Sequence, residues 1–260
     1  MAKSVVIITG ASSGLGMEFA LQLDAHLRKT DEIWLIARSK DKLIELSKRM
    51  RNNTRVLSID VTKEGQIERL ADKLEDYDCR VRMLVNCAGY GIIGDFAGSD
   101  QEEQAGMIRL NCEALTNVVH CCLPYMCKNS RIINIASSAS FIAQPGFAVY
   151  AATKAYVDSF SMALREELLD KKIYVTSVCP GPVDTPFFDR AEANGSIMAI
   201  KKMIMADAPG VVKKALRDSC MKRARSVYSV SIQSFQVLCK VVPHIILIPV
   251  IKALKLMQEN

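Results

Sequence analysis

Strand and helix alternate along most of this 260-residue chain, and that alternation predicts an α/β fold, a doubly wound parallel sheet with helices on both faces. Two further observations point the same way. The apolar runs are short and rich in β-branched residues, as in strands buried on both faces. The first run ends in a glycine-rich turn, TGASSGLG, that opens a segment of helical periodicity. No repeat, low-complexity tract or linker rich in Pro and Gly divides the sequence, so one domain over 1–260 is expected.

The elements follow in order. SVVIIT is the first strand, and GMEFALQLDAHL after it has helical spacing. EIWLIA, TRVLSID and VRMLVN are the next three strands, separated by the helices KDKLIELSKRM and KEGQIERLADKLEDY. DQEEQAGMIRLNCEALTNVVHCCLPYM reads as one long helical stretch and RIINIAS as the fifth strand. A helix holding Tyr150 runs to about Leu169, and IYVTSVC is the sixth strand.

Composition narrows the classes. Half the residues are hydrophobic and 24% are charged, which is ordinary for a globular protein. The formal charge of +6 is concentrated in KKMIMADAPGVVKKALRDSCMKRAR, so a basic face is expected rather than a basic protein. There is no zinc-finger spacing and no aromatic RNA-binding signature, so no nucleic-acid partner is expected. Nine cysteines behind an N-terminus that enters a strand directly suggest reduced thiols and a cytoplasmic location. The densest group, His120, Cys121, Cys122 and Cys127, falls on the apolar half of a helix without paired C-x-x-C spacing; buried packing is expected there, and no metal.

VYAATKAY places Tyr150 four residues before Lys154, one helical turn away on the same face. A cation beside a phenol favours the phenolate and moves the tyrosine towards proton exchange near neutral pH. Such a pair is commonly a solvated face, so its meaning depends on the strand ends, where doubly wound sheets bind ligands. After the first strand, Gly10, Gly14 and Gly16, with Ser12, Ser13 and Leu15 between them, allow close approach of a pyrophosphate to a helix N-terminus. After the second, Ala37 offers no carboxylate for ribose hydroxyls, whereas Arg38 offers a guanidinium suited to a 2′-phosphate; this favours NADP over NAD. After the third, Asp60 and Val61 stand where an adenine amino group is met, and after the fourth Asn86, Ala88, Gly89 and Gly91 let a nucleotide pass closely.

Together, TGASSGLG, DV, NCAG, an Asn in the following helix, a Ser after the fifth strand, YAATK and PGPVDT resemble the short-chain dehydrogenase/reductase family, in order from about Val5 to Thr185. The resemblance implies a seven-stranded Rossmann-type sheet, NAD or NADP as cofactor, and a catalytic group of Asn111, Ser137, Tyr150 and Lys154. IASSAS offers Ser137, Ser138 and Ser140; family spacing favours Ser137, with Ser138 the fallback. In the family's mechanism Lys154 would lower the tyrosine's pKa and hold the nicotinamide ribose. Tyr150 would exchange a proton with the substrate oxygen, Ser137 would position that oxygen, and Asn111 would support a water relay. Pro180, Gly181, Val183 and Thr185 would meet the nicotinamide amide. Two positions depart from the pattern: Cys87 replaces the second Asn of the family's NNAG, and Ser140 stands where glycine is frequent. Neither is required for proton or hydride transfer, so the departures concern packing and pocket shape.

Residues 186–207 correspond to the family's substrate lid. Phe187, Phe188, Met198, Met203 and Met205 suit a hydrophobic ligand of hydroxysteroid or bile acid type, with a 3-oxoacyl or other lipid-like carbonyl as the alternative, or else simply pack the lid. The apolar extension 226–260 is broken by Pro243 and Pro249, which excludes a long straight helix and leaves no run long enough to span a membrane. It either covers the substrate mouth, buries an interface of a homodimer or homotetramer, or lies on a bilayer with Lys240, Lys252 and Lys255 at the headgroups; the first two are preferred. A sugar-nucleotide epimerase would carry TGxxGxxG rather than TGxxxGxG, and a catalytically silent NADP-binding regulator would lack the Tyr, Lys or Ser. The expected activity is therefore NADP(H)-dependent interconversion of a secondary alcohol and a ketone.

Overall fold

The computed structural model describes residues 3–27, 32–191 and 205–259, without the side chains of 190 and 255–259. Met198, Met203 and the side chain of Lys255, named above for the lid and the tail, lie outside the described residues. The strands are β1 (Lys3–Thr9), β2 (Glu32–Ala37), β3 (Asn53–Ser58), β4 (Cys79–Asn86), β5 (Met126–Ile135), β6 (Tyr174–Val178) and β7 (Arg225–Ser226). They form one parallel sheet in the order β3-β2-β1-β4-β5-β6-β7. Strand order reverses between β1 and β4, which places the binding crevice above the carboxyl ends of those two strands.

Successive residues of a strand face opposite sides of the sheet, and the core divides accordingly. Val5 and Ile7 of β1 join Trp34, Ile36, Leu84 and Ile132 on one face, while Val6 and Ile8 join Ile33, Leu35, Val85 and Ile133 on the other. The first face is covered by α3 (Gln66–Asp76), α5 (Leu115–Cys122) and α6 (Ala148–Leu168), while α4 (Gln101–Ile108) buries Met107 in a third cluster with Ile92, Phe147 and Tyr150. The second is covered by α1 (Gly14–His26), α2 (Lys40–Lys48) and, after the short α7 (Phe187–Ala191), by α8 (Ala208–Cys220). Asp100 caps α4 by accepting from the Glu103 N–H at 2.8 Å, and Asp207 caps α8 by accepting from Gly210 at 2.7 Å.

Several expectations need correction. The stretch 100–126 is not one helix: between α4 and α5 the turns widen into a π segment, Arg109–Ala114, a distortion frequent at functional sites. β5 starts at Met126, because its first residues already pair with β4 at Val81. The seventh strand is two residues inside the basic segment, too short to carry a pattern. The tail forms α9 (Val230–Val241) and α10 (His244–Glu259); only Pro243 breaks the chain, and α10 continues through Pro249. Of the cysteine group, Cys122 is buried, Cys121 lies against the Ile67 carbonyl at 3.7 Å, and Cys127 is exposed.

Candidate active site

A cleft of about 880 Å³ runs along the carboxyl ends of the strands, from Arg38 and Asp60 at one end to Tyr150, Phe187 and Phe188 at the other. Gly10, Ser12, Ser13, Gly14, Leu15, Gly16, Val61, Ala88, Gly89, Ser137, Lys154, Pro180, Gly181, Val183 and Thr185 also line it. Residues far apart in sequence thus meet in one groove.

The glycine turn is shaped by two close approaches. A Cβ on Gly10, which adopts φ +66°, would lie 2.7 Å from the Ala88 nitrogen; one on Gly16 would lie 2.2 Å from the Gly10 carbonyl oxygen. The turn is therefore pressed onto the end of β4 and onto its own helix, and no side chain fits at either place. Gly14 faces the Thr185 side chain, which a Cβ would meet at 3.4 Å, so the turn and the segment after β6 form opposing walls. This bare-backbone groove beside a helix N-terminus fits the pyrophosphate of a nicotinamide dinucleotide. At the adenosine end, Asp60 Oδ1 accepts from Thr62 N–H at 3.1 Å and Thr62 Oγ1 at 2.7 Å. Burial pushes this carboxyl up, but the Thr62 hydrogen bonds and the nearby Arg38 and Lys63 outweigh it and hold Asp60 below the usual range. Ser39 and Lys63 share this rim with Arg38.

The reacting end is built on α6. Tyr150 is buried and stacks on Phe147, ring centroids 4.2 Å apart, with Phe187 of the lid tilted against it at 5.5 Å. Ser137 acts on the tyrosine hydroxyl and opposes the upward shift of the phenol, and Ser137 Oγ accepts from Ala139 N–H at 3.1 Å. Of the three serines it is the one whose side chain acts on the Tyr150 hydroxyl. Ser138 instead donates its N–H to the Pro180 carbonyl at 2.7 Å, and Ser140 Oγ donates to the Ser137 carbonyl at 2.7 Å. Lys154 Nζ donates to the Ile135 carbonyl at 2.7 Å and lies 5.6 Å from the Tyr150 ring centroid.

This geometry reverses the expected shift. Burial pushes the Tyr150 phenol up to about 12, the Ser137 hydrogen bond opposing it, and burial pushes the Lys154 ammonium down to about 8 against the pull of Cys112, Cys87 and Cys179. The lysine is engaged with a main-chain carbonyl and sits beside the ring, so desolvation dominates both groups.

Asn86 does not meet the groove as expected, and the Asn111 side chain is held by its neighbours. Asn86 does not line the cleft; it is buried and donates to Asn134 Oδ1 at 2.9 Å, and Asn134 donates to Ser161 Oγ at 3.0 Å, tying β4 through β5 to α6. Asn111 sits in the π segment with its amide fully engaged: Nδ2 donates to the Tyr90 carbonyl at 2.9 Å and Thr153 Oγ1 at 3.0 Å, and Oδ1 accepts from Tyr90 N–H at 3.1 Å. Its side chain has no donor left for a water relay. Any such donor role falls to other groups. Gly91 also stands outside the cleft wall: a Cβ there would lie 2.7 Å from Tyr150 Cδ2 and 2.8 Å from Phe147 Cζ. Phe147, Ser39 and Lys63 carried no sequence signal of their own, because only the fold brings them to the groove.

The described parts of the segment 186–207 are tied to the body at two places. Ile93 N–H donates to the Ala191 carbonyl at 2.9 Å, and Ala206 exchanges hydrogen bonds with Pro182 and Asp184 at 2.9 and 3.0 Å. No residue from 226 onward lines the cleft among the described residues.

Comparison with known proteins agrees with this arrangement. The short chain dehydrogenase family pattern matches residues 4–195. Sulfoacetaldehyde reductase 2 of Chromohalobacter salexigens is 34% identical over 194 residues, covering 71% of this chain and 75% of that protein. A short-chain dehydrogenase from Sphingobium yanoikuyae, solved in complex with NADPH, superimposes with a TM-score of 0.76 at 26% identity over 92% of this chain and 96% of that one. A short-chain dehydrogenase/reductase from Burkholderia phymatum, solved with NAD, shares the fold at a TM-score of 0.79 and 23% identity, over 91% and 92% of the two chains. With the glycine turn, the Ser137–Tyr150–Lys154 group and the cleft that joins them, the chain belongs to the short-chain dehydrogenase family and is a nicotinamide-dependent oxidoreductase.

Proposed function

We propose that this enzyme uses NADP(H) to interconvert a secondary alcohol and a ketone on a hydrophobic substrate of hydroxysteroid or bile acid type. The observation that carries the substrate reading is the apolar wall around the proton donor: Phe147, Phe187, Phe188 and Ile93 border the cleft beside Tyr150. Arg38 and Lys63 at the adenosine rim, with Ala37 in place of a carboxylate, support NADP over NAD. A lipid-like 3-oxoacyl carbonyl fits the same wall.

The bound cofactor supplies or accepts the hydride at the substrate carbon. The chain's own residues handle the proton. A phenol held near 12 stays protonated at neutral pH, so in the reductive direction Tyr150 gives its proton to the substrate oxygen as negative charge develops there. Ser137, acting on the same hydroxyl, orients that oxygen, and charged Lys154 stabilises the phenolate that remains. Asn111 acts indirectly by fixing Tyr90 and Thr153. The aromatic wall excludes water from this exchange. We further propose a homodimer or homotetramer, for which exposed Ile108 and Tyr156 offer apolar surface on α4 and α6.

The test is a panel of ketones with NADPH and NADH, followed by absorbance of the reduced cofactor. Turnover of bulky hydrophobic ketones with NADPH is the expected result. Activity confined to small charged aldehydes, or equal use of NADH, would overturn the corresponding half of the reading.

A further inference from the structure

The tail presents a surface that the active site does not use. On α9, Val230, Val237, Leu238 and Val241 are exposed, opposite buried Ile232 and Cys239. On α10, Ile245 is 82% exposed and Ile246, Val250 and Leu254 are also exposed; no residue of that helix whose side chain is described is buried. With about 3.6 residues per turn, the exposed residues of α10 form one continuous arc, while half-buried Leu247, Ile248 and Ile251 turn towards the protein. An apolar surface of this kind requires a partner. It is not a membrane span, since no helix among the described residues is long and apolar enough to cross one.

Charge identifies the partner. Within α9 and α10 the charged residues are Lys240, Lys252 and Lys255 against a single acid, Glu259, at the end of α10. Lys252 falls seven residues after Ile245, within about 20° of it around the helix, so a cation lies at the margin of the apolar arc. Between two protein copies that ammonium would be desolvated against apolar side chains. At a bilayer surface its stem lies along the acyl boundary while its head stays among the phosphates. Pro249 adds a second argument. It removes the N–H that would satisfy the Ile245 carbonyl, which at an interface is met by water or a headgroup.

We propose that α9 and α10 dock this enzyme onto the surface of an anionic bilayer. The docked surface adjoins the catalytic turn. Ile232 packs on Gly181, where a Cβ would lie 2.8 Å from Ile232 Cδ1, and Phe235 of α9 meets Phe141 at 6.4 Å, in the short turn that follows Ser137. The inner side of α9 therefore packs on the turn behind Ser137, with the docked face on its outer side.

The test is cosedimentation of the full chain with vesicles of phosphatidylcholine, with and without phosphatidylglycerol, alongside its sedimented mass without vesicles. Binding to the anionic vesicles that weakens with salt is the expected result. Each exposed lysine contributes about fivefold to such binding, so Lys240→Ala with Lys252→Ala lowers it about 30-fold. Ile245→Glu with Val250→Glu abolishes it, and unchanged NADPH affinity shows that these variants are folded. Equal binding to neutral and anionic vesicles would overturn the role of charge. Absence of vesicle binding overturns the proposal; if Ile245→Glu then also lowers the sedimented mass, the surface belongs to a second copy of the chain.

Discussion

Replacing Gly91 by alanine adds one methyl group at the point where Phe147 and Tyr150 come together. That methyl would lie 2.7 Å from Tyr150 Cδ2 and 2.8 and 2.9 Å from Phe147 Cζ and Cε2, where carbon atoms at rest are about 3.5 to 4.0 Å apart. The two rings stack on each other and Tyr150 leans on Phe187, so neither moves alone. Relief takes a displacement of about 1 Å. Overpacking of this kind costs about 1 to 3 kcal/mol of stability, and a 1 Å error in the position of a catalytic group costs about 10² in rate. Gly91 does not line the cleft, and the cofactor walls at Gly10, Gly14 and Thr185 are remote in the groove from this contact. The expected outcome for Gly91→Ala is therefore a kcat reduced about 100-fold with an NADPH dissociation constant, measured by fluorescence titration, within a factor of a few of the parent's. A variant with parental kcat on a confirmed ketone would refute the reasoning, since it would mean that Tyr150 keeps its position without this contact.

Three further outcomes follow from the site. Tyr150→Phe keeps the stack on Phe147 but removes the transferable proton, so turnover falls about 10² to 10⁴-fold while NADPH still binds; near-parental turnover would exclude Tyr150 as the acid. Arg38→Asp loses a charge-assisted contact to the 2′-phosphate, a change of about 10- to 150-fold in NADPH affinity, and reverses the preference towards NADH; equal titration midpoints for both cofactors in the parent would remove the premise. Lys154 is held at about 8 against the ordinary 10.5, so above pH 8 the native state releases a proton that the unfolded chain keeps, and stability without added cofactor rises with pH from about 8 to 9. Beyond that the buried Cys179 thiol, ordinarily 9.0 and here about 12, cancels the rise, and the similarly raised Cys87 thiol reverses it, because the unfolded chain then releases these protons first. Chemical denaturation should show the rise in the parent and a flatter profile in Lys154→Met.

What the sequence revealed and what it concealed follow from the range of the interactions concerned. β1, β2 and the glycine turn are readable because a strand buried on both faces must be a continuous apolar run, and because a backbone pressed to within 2.2 Å of a hypothetical Cβ tolerates only glycine. β7 was not readable, since two residues cannot display a period. The π segment was not readable either, because a run with helical spacing looks the same whether or not one turn widens. Asn86 shows a subtler limit. Its position at a strand end suggested a ligand contact, yet the side chain turns inward to Asn134, and residue type alone cannot decide which way an amide faces.

The charges of Tyr150 and Lys154 are the clearest case of information that resides in packing rather than in spacing. Four residues apart on a helix, a phenol and an ammonium in water would be drawn towards the phenolate and the free cation. Here the same helix face is closed over by Phe147, Phe187 and the end of β5, so each group loses hydration before it gains the other. The proton consequently stays on the phenol, and the lysine is the more easily discharged of the two. For reduction this is the useful arrangement, because the acid must be charged with its proton when the substrate oxygen becomes basic. For oxidation the phenolate must form first, which raising the pH and retaining the Lys154 charge both assist, but burial separates those conditions: at pH 9 most of the lysine charge is gone while the phenol is still protonated. A dinucleotide whose ribose accepted from Lys154 would favour the ammonium and so would ease oxidation at elevated pH.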